Sequence, residues 1–289
     1  MSLCPHRAYP GLPPLLENVK IEGNVLTFSL SGIIPALANS LRRTMLAEVP
    51  TLAIHEVMFF ENDSPMHDEI IAHRLGLIPL ITPMGRYVPK DECNCGSELG
   101  CPKCRVSLYL DVTASDYPRV VYSGDLRSRD DPEVRPVSNS IPITKLPPHG
   151  KLRLEAYARL GYGREHAKWQ PVGTAIYKFQ PIICIKEHCN ACGECVKNCP
   201  KSVLGISNNH LEIIDLEACS LCKFCMEICP LDPPAISISH DRSKALFTVE
   251  STGSLPPKEI LVEAIRILKE KSSKLLEEIE VSTNEKKGE

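Results

Sequence analysis

The chain has 289 residues, enough for two or three domains, each with its own core. A net charge of -3 leaves no global basic footprint, so any nucleic-acid contact has to be local or made through partners. No apolar run approaches the ~20 residues that span a bilayer. Pro and Gly punctuate the first 14 residues where an export signal needs an apolar core, and 14 cysteines then predict a reducing cytoplasm.

Residues 18–30 alternate apolar and polar side chains through Val19, Ile21, Val25 and Phe28, with Glu22-Gly23-Asn24 between. That pattern predicts a β-hairpin with a tight turn. Pro35 suits the first turn of a helix. Over 35–46 the stripe is Leu37, Leu41 and Met45, with Ala38 and Leu46 beside it. Arg42 and Arg43 lie off the stripe, and this segment alone makes them ordinary solvated arginines. Residues 49–60 read as a strand, 66–75 as a short helix ended by Gly76, and 77–81 as an apolar edge strand containing Pro79.

The helix around Asn39-Ser40-Leu41-Arg42-Arg43 and the turn Arg74-Leu75-Gly76-Leu77-Ile78-Pro79, at this separation, closely resemble the assembly subunit of multisubunit RNA polymerases. That family comprises the N-terminal region of the bacterial α subunit, the third-largest subunit of eukaryotic RNA polymerase II and the archaeal D subunits. The resemblance covers most of the chain. It implies a non-catalytic scaffold whose helix at 35–46, with the C-terminal helix, pairs with a smaller homologue, subunit L. Subunits N and P and the second-largest subunit would dock on that platform. Asn39, Leu41, Arg42 and Arg43 become interface residues, and DNA is met only through the holoenzyme.

Cys93, Cys95, Cys101 and Cys104 form two thiolate pairs on Gly-containing knuckles. Four soft ligands at this spacing suit one tetrahedral structural zinc, since no position stays open for a substrate. The alternative is free thiols in a mobile loop. Residues 106–112 and 151–158 alternate as strands, and between them 123–148 is charged and proline-rich, with a short apolar strand at 141–143. His166, Lys168 and Trp169 lie in a glycine-containing loop. Packing alone would account for them, but in the resembled family this segment faces the second-largest subunit, which makes them an interface anchor.

A strand at 175–179 leads into the most diagnostic stretch. Cys189, Cys192, Cys195 and Cys199-Pro200 recur 30 residues later as Cys219, Cys222, Cys225 and Cys229-Pro230. In two-cluster ferredoxins the fourth cysteine of such a run ligates the other cluster. The repeat therefore assigns one 4Fe–4S cluster to Cys189, Cys192, Cys195 and Cys229, and a second to Cys199, Cys219, Cys222 and Cys225. Zinc prefers separated pairs closing one tetrahedron, and disulfides an oxidising compartment, so neither explains the repeat. Cys184 reads as a buried strand residue, and Cys4 has no assigned role. Residues 245–250 return as a strand, and Pro256 opens a helix to about 280. Its stripe is Ile260, Leu261, Ala264, Ile265 and Leu268, renewed by Leu275, Leu276 and Ile279. From 282 the sequence reads as disordered.

The expected fold is α+β. A split dimerisation domain occupies 1–50 and 242–289, a mostly β insert with the zinc loop 51–180, and a ferredoxin-like domain 181–241. The clusters serve either to fold that segment or to sense redox or iron status. An electron-transfer subunit of an oxidoreductase is the competing function. It finds no dinucleotide fingerprint in the sequence, and the polymerase-type helix and turn weigh against it.

Overall fold

The computed structural model describes residues 13–97 and 100–285. The architecture is α+β with sheets predominating. The hairpin forms as β1 (Leu15–Glu22) and β2 (Val25–Ser31) around a left-handed Gly23 at φ 58°. Helix α1 spans Pro35–Ala47 and buries Ala38, Leu41 and Met45, one face at helical spacing. Leu37, expected on that face, is instead exposed beside Ile34.

Strand β3 (Thr51–Asn62) and helix α2 (Asp68–Gly76) follow. The expected edge strand at 77–81 does not form, and only Leu80 makes an isolated bridge, to Pro136. Pro79 has no N–H for a ladder, although its carbonyl accepts from the Val137 amide at 2.9 Å. The segment is held by single bonds instead. Next come β4 (Val106–Thr113), β5 (Arg119–Tyr122), β6 (Arg127–Ser128), β7 (Pro142–Leu146) and β8 (Lys151–Gly161). A sheet ordered β3-β8-β4-β6 turns Leu108, Leu110, Leu152, Leu154, Ala156 and Ala158 into a core shared with Ile71 and Leu75 of α2.

Strand β9 (Val172–Ile185) leads to α3 (Glu194–Lys197), the hairpin β10 (Leu204–Ser207) and β11 (His210–Ile213), and α4 (Phe224–Glu227). Strand β12 (Ile236–Ser251) then returns beside β9 in a sheet ordered β1-β2-β12-β9. Phe28 and Phe247 stack across it with ring centroids 4.8 Å apart, and Tyr177 adds a ring 5.2 Å from Phe247. The last element is α5 (Pro257–Glu285). It continues past 282, where disorder was expected; residues 286–289 and Cys4 lie outside the described set.

The chain forms two compact units. Of the described residues, one holds 13–20, 27–40 and 176–248; the other holds 21–26, 41–175 and 249–285. In the second unit Ile260, Leu261 and Ala264 of α5 are buried, whereas every side chain from 269 to 282 is exposed. Among the described residues no helix is long and apolar enough to cross a membrane.

Candidate metal centres

The two cysteine runs have the same backbone. Ala191 and Leu221, each two residues after the first cysteine, adopt left-handed φ of 50° and 59°. Gly193 and Lys223, two residues further on, do so at 83° and 62°. A left-handed alanine, leucine and lysine are each unfavourable and persist only where the surroundings impose them. The 30-residue repeat is thus a repeat of local conformation, each copy opening the short helix (α3 or α4) that carries its third, buried cysteine, Cys195 or Cys225.

Two cavities result. One is lined by Cys189, Cys192, Cys195 and Cys229, and the other by Cys199, Cys219, Cys222 and Cys225. Each cavity holds three cysteines of one run and the fourth of the other. Apolar side chains close them, Leu211 and Ile236 in the first, Ile183, Val203 and Ile238 in the second. The Ala235 amide lies 3.4 Å from the Cys229 sulfur, and the Lys178 ammonium donates to the Cys219 carbonyl at 3.0 Å. Burial pushes the Cys225 thiol up to about 11, with Cys222, Cys195 and Cys219 adding to it. Burial raises Cys195 in the same way, with Cys192 and Cys189 next. Thiols crowded like this keep their protons until cations enter, and cationic iron reverses the balance. The donor set and the apolar walls fit cuboidal clusters.

The other four cysteines converge on a point instead of surrounding a space. The sulfurs of Cys93, Cys95, Cys101 and Cys104 all lie within 4.8 Å of one another, with Cys93 to Cys101 at 3.7 Å and Cys101 to Cys104 at 3.9 Å. Thiolates 2.3 Å from a tetrahedral zinc stand about 3.8 Å apart. The knuckle at Cys101 closes by amide bonds from Cys104 and Arg105 to its carbonyl, both 2.9 Å. The Lys103 amide holds the Cys101 thiol down at about 7. At Cys93 the Cys95 amide pulls the same way, but burial and the three neighbouring sulfurs outweigh it and raise the thiol. Four sulfurs converging at this spacing fit zinc, which displaces the protons that thiols carry.

Of the expected interface residues, Leu41 is buried, Asn39 and Arg42 are half-buried and Arg43 is exposed on α1. The indole of Trp169 is buried within the chain, the packing alternative of the sequence reading. Its Nε1 donates to the Arg159 carbonyl at 3.2 Å, and the Lys168 ammonium sits 4.4 Å from the ring centroid. His166 is exposed and Lys168 half-buried at the same turn, Ala167–Trp169. Sequence reasoning missed His55, whose ring lies 5.6 Å from Trp169 and whose Nδ1 is 3.1 Å from the Lys168 ammonium. Its neighbours are 113 residues away in sequence, so no local signal marks it. Cys184 is a half-buried residue of β9.

Comparison with known proteins agrees with this architecture. Residues 27–272 match the family described as the RNA polymerase Rpb3/Rpb11 dimerisation domain. The chain is 45% identical over 270 residues to the DNA-directed RNA polymerase subunit Rpo3 of Archaeoglobus fulgidus, covering 92% of this chain and 99% of the relative. It is 40% identical to Rpo3 of Pyrococcus horikoshii, over 92% and 97% of the two chains. With the DNA-directed RNA polymerase II subunit rpb3 of Dictyostelium discoideum the identity is 36%, over 89% and 92%. The chain belongs to the Rpb3/Rpo3 family of DNA-directed RNA polymerase subunits.

Proposed function

We propose that this chain is a non-catalytic assembly subunit of an archaeal-type DNA-directed RNA polymerase in the cytoplasm. It pairs with the smaller homologue, subunit L, and then docks subunits N and P and the second-largest subunit. DNA contact comes only through the assembled enzyme. The observation that carries this reading is the surface of α5. Val262, Ile265, Leu275, Leu276 and Ile279 are each at least half exposed, a long apolar surface that a stable soluble protein covers with a partner. The family supplies the kind of partner, a second copy of the dimerisation fold.

The cysteines add metal-dependent folding. Two 4Fe–4S clusters would be held by Cys189, Cys192, Cys195 and Cys229, and by Cys199, Cys219, Cys222 and Cys225, in a ferredoxin-like segment spanning 181–241. Clusters bound there supply one-electron chemistry and folding free energy. The apolar cluster of Val203, Leu204, Leu211, Ile236 and Ile238 is built around Cys195, Cys219 and Cys225 themselves, so bound metal would add directly to what holds the segment. A structural zinc would sit on Cys93, Cys95, Cys101 and Cys104.

The test is anaerobic co-expression with subunit L, followed by size exclusion with iron, sulfide and zinc measured on one peak. A stoichiometric heterodimer with about eight irons and about one zinc supports the reading. A soluble monomer that ignores subunit L overturns it.

A further inference from the structure

A second kind of cavity, lined by no cysteine, opens in the unit that holds residues 41–175. It has a volume of about 240 Å³ and is walled by Ile54, Val57 and Leu77, with His55, His73, His166 and Lys168 as its polar lining. No carboxylate is among the lining residues. The hydrogen bonds fix what these groups offer. Lys168 carries three N–H donors. One goes to the Ile54 carbonyl at 2.9 Å and one to Nδ1 of His55 at 3.1 Å. The third has no oxygen or nitrogen acceptor among the described residues, while the ammonium as a whole lies 4.4 Å from the Trp169 ring centroid. Because Nδ1 of His55 accepts, Nε2 of that ring carries the proton. Nδ1 of His166 likewise accepts the Lys168 amide at 3.0 Å, which leaves its Nε2 a donor. The three residues that carry these donors, which have no oxygen or nitrogen acceptor among the described residues, all line one cavity.

We propose that this cavity receives an aspartate or glutamate side chain of another polymerase subunit, bound by His55, His166 and Lys168. The inference rests on the reading of the chain as an assembly subunit. Charge complementarity argues for an anion, and the apolar Ile54, Val57 and Leu77 walls argue for a side chain with a hydrocarbon stem over a free hydrated anion. The groups facing His55 are Arg159 from β8, Lys168, Lys90 and its own neighbour Glu56. Three of these four are cations, which resist a further proton and attract a carboxylate. Charge-assisted bonds of this kind are strong when water is excluded.

The test is zero-length carbodiimide cross-linking of the reconstituted polymerase, which joins an amine only to a carboxyl group in contact. The expected product is an amide between Lys168 and an Asp or Glu of another subunit, absent from the unassembled subunits. Histidine acylation by diethyl pyrocarbonate should slow at least tenfold at His55 and His166 on assembly. A His55→Gln, His166→Gln double variant should lower the affinity for the docking subunit about tenfold. A fully assembled polymerase with Lys168 unlinked, or linked only to Glu56, and with both histidines still reactive overturns the proposal. Protection of Lys168 by inorganic phosphate alone, without a link in the polymerase, overturns it in favour of a free oxyanion site. A chain that never enters the polymerase sinks the assembly reading itself, which is a separate result.

Discussion

Cys195 and Cys199 are four residues apart at one short helix, yet they line different cavities. Each run therefore commits its last cysteine to its copy, and neither cavity has four cysteines unless both runs fold. Cys199→Ser should remove a ligand from the cavity of Cys219, Cys222 and Cys225 and spare the other. Iron and sulfide should fall from about eight toward about four per chain. Equal loss from both cavities, seen by resonance Raman or Mössbauer spectra, would contradict the exchange of ligands.

The four-cysteine knuckle site should bind zinc in a pH-dependent way. Cys101 is held at about 7 and Cys93 is raised, so below neutrality both thiols carry protons that zinc has to displace. Affinity should therefore fall as pH falls, by roughly tenfold per unit for each proton released. Competition with a chromogenic chelator between pH 6 and 8 measures the slope. A flat profile would show that these thiols do not bind the ion.

Leu275→Glu with Ile279→Glu changes two exposed positions of α5. The isolated chain should fold as before, because both side chains are more than half exposed in it. Pairing with subunit L should weaken by about 3 kcal/mol or more, roughly a hundredfold. Sedimentation of the mixed subunits decides it.

Gly163 lies close to the end of α1. A Cβ there would stand 2.1 Å from the Leu46 carbonyl oxygen, which is backbone and unable to turn aside. Gly163→Ala should cost about 1–3 kcal/mol and loosen the Arg164 amide bond to the Ala47 carbonyl, now 3.1 Å. Urea titration measures the loss. Gly173, with open space around its Cβ position, is the control.

Asp131 accepts hydrogen bonds from the Tyr87 hydroxyl at 2.7 Å and from Arg86 at 2.6 Å. Burial pushes its carboxyl up, but these bonds and the Glu133 amide outweigh it, so the folded group sits below the ordinary carboxylate range. A depressed group stabilises the fold above its unfolded pKa, and that stability is lost as pH falls through the folded value. Asp131→Asn should cost about 1–3 kcal/mol at pH 7. The gap to the parent should narrow below about pH 4. A gap constant from pH 7 to 3 in thermal melts would refute the assignment.

The hairpin around Gly23, helix α1, strands β3, β4 and β8 and the grouping of the eight cysteines were legible because period, spacing and turn chemistry are local. The hairpin of β10 and β11 was overlooked, although Asn208 and Asn209 are both left-handed, as its tight turn requires. β5 and β6 were hidden by the prolines and charges around them. The inward turn of Trp169 was not legible either. It depends on Gly161 leaving room for the indole, where a Cβ would lie 2.4 Å from the ring.

Strands β9 and β12 are neighbours, and the Lys186 amide meets the Ala235 carbonyl at 2.7 Å where the cysteine-bearing segment leaves the sheet. Entry and exit of that segment thus share one doorway. Once the two strands pair, its ends are already together, and its loop-closure entropy has been met by the sheet. On the reading that iron–sulfur clusters bind in that segment, the rest of the chain can fold before iron arrives. A cell short of iron would then hold the surrounding chain complete with one unfinished lobe, without delaying the chain around it.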